Sequence, residues 1–83
     1  MNPDETVVYL LMVDSPDNDG RDDSWWDYDT QQSLYTEVVG VFDSEGAARQ
    51  ASITGLGGTE VIRAYLIAMP LNRVVKGKLV GYL

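Results

Sequence analysis

Val7–Val13 is an unbroken apolar run, VVYLLMV, and no other feature limits the fold of this chain so strongly. Its β-branched and aromatic residues read as a strand. A strand with one wet face alternates apolar and polar residues. This one does not, which places it at the centre of a sheet or under cover on both faces. Two further stretches read as strands, Leu34–Phe42 (LYTEVVGVF) and Thr59–Met69 (TEVIRAYLIAM), the second ended by Pro70. Between them Asp43 or Ser44 caps a short helix that runs to Thr54. Glu45 suits its first turn, and Ala47, Ala48 and Ala51 make a narrow apolar stripe for close packing on a sheet. Gly55 is expected in left-handed backbone just past the helix, with Leu56 folding back and Gly57-Gly58 turning the chain.

Connectivity then decides the architecture. The first two strands can pair antiparallel, whereas the second and third are joined through a helix and run parallel with a right-handed crossover. Placing the first strand between them gives the order 2-1-3, makes every neighbouring pair antiparallel and centres the most apolar strand. The expected fold is α+β: a three-stranded antiparallel sheet with one short helix on one face, in the chain order β-β-α-β. Val74-Val75 and Leu79–Leu83, on either side of Lys76-Gly77-Lys78, extend it to four strands as a short hairpin or an edge. Such an edge also invites pairing with a second copy, a homodimer through the C-terminal strand. The chain has 83 residues, the size of a single domain spanning 1–83.

Composition removes whole classes of function. There is no cysteine and no histidine, so disulfides, thiolate or imidazole zinc sites, cysteine nucleophiles and Ser-His-Asp triads are excluded. Met1–Thr6 carries Asp4 and Glu5 where a signal peptide carries Lys or Arg, and Val7–Val13 is too short to span a bilayer. The expectation is a cytoplasmic protein that does not engage membranes. No cofactor is implied.

Charge is distributed unevenly. Residues 1–60 hold all thirteen acids and only Arg21 and Arg49, while residues 61–83 hold Arg63, Arg73, Lys76 and Lys78 and no acid. Seven of the acids (Asp14, Asp17, Asp19, Asp22, Asp23, Asp27 and Asp29) fall in a single stretch, opposed only by Arg21. With Pro16, Asn18 and Gly20 among them, residues 14–33 read as a long acidic loop between the first two strands. An acidic surface repels nucleic acid, so direct binding to DNA or RNA is not expected. Basic proteins are the natural partners.

Within this loop Asp22-Asp23-Ser24-Trp25-Trp26-Asp27-Tyr28-Asp29 carries the strongest local signal. Aromatic rings supply anchor area at an interface and carboxylates meet a partner's Lys and Arg. The candidate partner-binding residues are therefore Asp17, Asp19, Asp22, Asp23, Trp25, Trp26, Asp27, Tyr28 and Asp29. Against that stands the plainer reading, in which one Trp folds onto the uncovered sheet face and completes a small core. The Asp cluster itself has three readings: a solvated loop, a mimic of the nucleic-acid phosphate backbone, and a calcium site. Asp17-Asn18-Asp19-Gly20 resembles part of an EF-hand loop, but that alignment puts Ser15 at the first ligand position and Trp26 where the bidentate Glu belongs. No metal ligands are assigned. Acid–base chemistry needs a pocket around its carboxylates and none is implied, so no catalytic residues are assigned either. Gly55-Leu56-Gly57-Gly58 follows a helix instead of opening one, and reads as a turn. Arg63 interrupts an apolar strand, either as a solvent-facing residue or as half of a salt bridge across the sheet.

The apolar first strand, followed by Val38-Val39-Gly40-Val41-Phe42 leading straight into Asp43-Ser44-Glu45-Gly46-Ala47-Ala48, resembles small acidic proteins encoded by bacteriophages, the anti-CRISPR and other anti-defence inhibitors among them. The resemblance is one of architecture and covers most of the chain. Those inhibitors share no common motif, so it transfers no functional residues. It implies a non-enzymatic protein that works in the cytoplasm of a bacterial host and blocks a nucleic-acid-handling complex there.

Overall fold

The computed structural model describes residues 6–56 and 60–83. The strands are β1 (Val7–Pro16), β2 (Trp25–Asp27), β3 (Gln32–Phe42), β4 (Arg63–Pro70) and β5 (Lys78–Tyr82), with one helix, α1 (Glu45–Gly55), between β3 and β4. They form one antiparallel sheet in the order β2-β3-β1-β4-β5. The fold is α+β with a helix on one face. The expected three or four strands become five, because the acidic segment contributes β2 at one edge and the C-terminal segment contributes β5 at the other. The three expected strands stand inside these edges, with the apolar run of β1 at the centre.

Alternation along β1 sorts the core. Leu11 points to the helix side, where it packs with Leu66 of β4 and Ala48 of α1, and Tyr9, Phe42 and Val80 close around them. Bulges between Leu11 and Met12 in the β1–β3 pairing, and between Leu66 and Ile67 in the β4–β5 pairing, shift the register and curl the sheet. Gly40 sits opposite Leu11 because the Phe42 ring lies across it; a Cβ there would come within 2.6 Å of the ring edge.

Ser44 caps α1, its Oγ accepting the Ala47 amide at 3.1 Å, and Glu45 pairs with Arg49 one turn on at 2.8 Å. Two expectations for the helix are corrected. Its inner stripe centres on Ala48 with Ala51 and Ser52 half-buried, while Ala47 is exposed, since the helix presents the Glu45–Ala48–Ser52 face to the sheet. Gly55 is the last helical residue and is not left-handed; Leu56 follows as C-cap with φ −98° and ψ 0°. The expected Gly57-Gly58 turn and the start of the third strand at Thr59 lie outside the described residues, as does the Met1–Glu5 segment. Among the described residues no helix is long and apolar enough to cross a membrane.

Val7 pairs with Pro70 at one end of the sheet and Asp14 with Arg63 at the other. The acidic hairpin therefore stands at the end away from Lys76 and Lys78.

Candidate functional site

The segment expected as a free loop is largely folded. β1 continues through Pro16, and the chain turns through Asp17–Ser24 and comes back as β2 against β3. The turn is built by Asp17, whose carboxylate accepts the amides of Asp19 at 3.3 Å and Arg21 at 3.1 Å, with Gly20 at φ 70° between them. The Arg21 amide, first of all, holds the Asp17 carboxyl below its ordinary range. Both oxygens of Asp17 thus face backbone amides. No group of acidic side chains among the described residues is placed to hold a metal ion.

Two buried aspartates fix the hairpin to the sheet. Asp14 is 3% exposed and Asp27 6%. Arg63 lies between them, its Nε 3.3 Å from Asp14 Oδ2 and its Nη2 hydrogen-bonded to Asp27. The remaining lone pairs are also used. The Thr36 hydroxyl donates to Asp14 at 2.7 Å, the Tyr65 hydroxyl donates to it at 3.3 Å, and the Thr30 hydroxyl donates to Asp27 at 2.7 Å. Trp25 joins the network by donating its Nε1–H to Thr36 at 3.1 Å, with the Arg63 guanidinium 5.9 Å from its ring. Tyr65 is raised above its ordinary range by burial and by the adjacent Asp14 carboxylate.

This network accounts for the positions of Trp25 and Asp27, both on the sheet face that α1 leaves open. Trp26 points to the other side, where the Tyr28 ring meets it edge-on at 6.4 Å. Trp26 is 50% exposed and Tyr28 82%. On that same side Arg21 stacks 4.2 Å over the Tyr35 ring and reaches Asp23 at 2.9 Å and Glu37 at 2.8 Å. Arg21, foremost, pulls the Asp23 carboxyl down. Beside this pair is a groove of about 260 Å³, lined by Val13, Tyr35 and Val39 with Asp19, Glu37 and Glu60 at its rim. α1 does not cover it, because the helix packs on Leu11 and Leu66 further along the sheet.

Of the nine residues expected to meet a partner, Trp26, Tyr28, Asp19, Asp22 and Asp29 present free side chains. Asp17, Asp23, Trp25 and Asp27 are bonded to other groups of the chain, Asp23 and Trp25 while still exposed. Residue reasoning along the chain missed Tyr35, Glu37 and Glu60, which reach the groove only through strand register. It also missed Asp14 as a structural carboxylate, although Arg63 in an apolar strand signals a buried acid opposite.

No protein family, curated protein or solved structure matches this chain.

Acid should loosen the hairpin. The Thr30 hydroxyl, first, and then the Asp29 amide and Arg63 hold Asp27 below its ordinary range against the effect of burial. Asp17 and Asp23 are shifted the same way. A depressed folded value stabilises the fold above the unfolded value of about 3.9 and loses that contribution as pH falls through the lower folded one. Urea midpoints measured from pH 7 downward should hold steady to about pH 4 and then fall. Asp27→Asn should flatten that fall.

Proposed function

We propose that this chain is a non-catalytic protein-binding inhibitor that occupies the basic, nucleic-acid-binding surface of a bacterial protein, in the manner of phage anti-defence proteins. The observation that supports this is the state of the charges at the hairpin end. Arg21 and Arg63, the cations there, are both consumed in internal pairs, and Asp19, Asp22, Asp29 and Glu60 are left facing solvent around the exposed rings of Trp26 and Tyr28. A surface of that kind repels phosphate and attracts guanidinium and ammonium groups. Arg21, stacked on Tyr35 between two carboxylates, is an internal example of how the site holds such a group.

The rings supply most of the affinity, and the carboxylates speed the encounter and select the partner. A desolvated aromatic anchor contributes about 2 kcal/mol, so Trp26→Ala is expected to weaken binding about 30-fold. The test is affinity capture from bacterial lysate with the wild type beside a variant carrying Trp26→Ala, Tyr28→Ala and Asn at Asp19, Asp22 and Asp29. These changes leave the Arg63 network intact. Capture by wild type alone of a basic nucleic-acid-binding protein, released by duplex DNA and weakened by salt, is the expected result. Equal capture by both proteins, or a captured partner indifferent to DNA, would overturn it.

A further inference from the structure

The groove beside Tyr35 has a polar floor that the chain itself does not use. Ser15, 7% exposed, pairs across the strands with Tyr35, and Val13 pairs with Glu37. Residues opposite one another in a sheet point to the same face, and all four line the groove. The Ser15 hydroxyl bonds to no group among the described residues and is not sealed off, so it opens into the groove. A hydroxyl held in place so deep in the sheet is a ready acceptor for a donor that enters.

β3 shapes the opposite wall. Its bulge falls at Val39, since Leu11 pairs with Gly40 and Met12 with Val38, leaving Val39 without a partner on β1. A bulge re-aims the side chain it carries, and Val39 lines the groove while 45% exposed. Asp19, Glu37 and Glu60 stand at the rim, and among the described residues no cation lines the groove. These carboxylates are not placed to hold a metal ion.

Given the inhibitory role proposed for the hairpin end, we infer that this groove takes an arginine side chain of the partner protein. Its stem lies along Val13 and Val39, and its guanidinium sits among Ser15, Tyr35 and the rim acids. Size favours that occupant. The groove holds about 260 Å³, less than the roughly 300–1,000 Å³ of small-molecule pockets, which suits one long side chain. Charge favours it too, because acids without a cation select a positive head. Shape then separates arginine from lysine. A guanidinium is flat, weakly hydrated and carries five N–H donors, so it can lie on a ring while bonding to a hydroxyl and a carboxylate. The chain already holds its own Arg21 in this way, 4.2 Å over the Tyr35 ring and bonded to Asp23 and Glu37.

The test is an NMR titration of labelled wild type with N-acetyl-arginine amide, beside the corresponding lysine and citrulline compounds. The arginine compound should shift the Val13 and Val39 methyls. It should bind about threefold or more tighter than the lysine compound, because its head makes paired hydrogen bonds. The citrulline compound, similar in shape but uncharged, should not bind. Ser15→Ala and Val39→Trp alter no charge, so a plain acidic surface would not respond to them. Here Ser15→Ala should weaken arginine binding about threefold, the worth of one hydrogen bond. Val39→Trp, which fills the groove from an exposed position, should abolish it with an unchanged circular dichroism spectrum. Absent shifts at Val13 and Val39, equal binding of lysine, or indifference to Val39→Trp would overturn the inference. Capture from lysate separates it from the inhibitor reading. A partner held equally by wild type and Val39→Trp overturns the groove's role and leaves inhibition standing. Arginine binding in the groove of a protein that captures nothing retains the guanidinium site and overturns the inhibitor reading alone.

Discussion

Arg63→Met should lower the thermal midpoint by about 15 °C or more, the largest loss expected of any single surface-reaching substitution in this protein. The guanidinium is the shared counter-charge of Asp14 and Asp27. Without it Asp14, buried on the central strand, retains two hydroxyl donors but has no cation beside it. Removing one partner of a buried pair costs about 3 kcal/mol or more, because the other charge is left uncompensated. For a domain of this length each kcal/mol is worth about 4–8 °C. Asp14→Asn in the Arg63→Met background should recover part of the loss, which distinguishes a stranded charge from simple loss of packing. Differential scanning calorimetry on the single and double variants gives the coupling directly. A drop of only a few degrees would mean that water replaces the guanidinium and that the pair is not structural.

Leu34→Ala is expected to cost about 3 kcal/mol and to abolish whatever binding the hairpin supports. Leu34 is 0% exposed although it lies outside the cluster beneath α1. It pairs with Pro16 on one side and Trp25 on the other, so one side chain ties β2 to the rest of the sheet. Truncating a buried leucine removes its transfer free energy and leaves a cavity. Urea denaturation reads the first effect. A red shift of tryptophan emission in the folded variant reads the second, since Trp25 loses the neighbour it packs on. Leu66→Ala should cost a similar amount under the helix, yet leave the tryptophan emission unchanged. A Leu34→Ala protein with wild-type emission would disprove this role.

The parts of the fold visible in the sequence are those set by local pattern. The unbroken run at Val7–Val13 demanded the central position, and Ser44 before Glu45-Gly46-Ala47 marked the helix start. Crossover geometry then ordered the inner strands. β2 was hidden because Trp25-Trp26-Asp27 is three residues long and sits among turn-forming aspartates, where composition argues for loop. What makes it a strand is not local: β3 lends it backbone partners, and Arg63 neutralises its one inward acid. The same cause divides the aspartates. Asp27 and Asp29 are alike to any reading of the chain, yet one is buried against an arginine 36 positions away and the other faces water. The outward aromatics, Trp26 and Tyr28, were legible because exposing such rings is unusual. The groove wall was not, since Tyr35, Glu37 and Glu60 converge only after the strands have paired.

The reach of Arg63 also orders events in time. The hairpin is held by bonds spanning 36 positions, from Asp27 to Arg63, and 51, from Asp14 to Tyr65. Contacts so far apart along the chain form late, after closure entropy has been met by the β1–β3 and β1–β4 pairings. During synthesis the acidic arm emerges before β4, so its Arg63 partner arrives only later. Its charges are exposed early, but the hairpin that arranges them exists only in the finished molecule. Half-made chains therefore carry the acidity without the shape, which is complete only with the sheet.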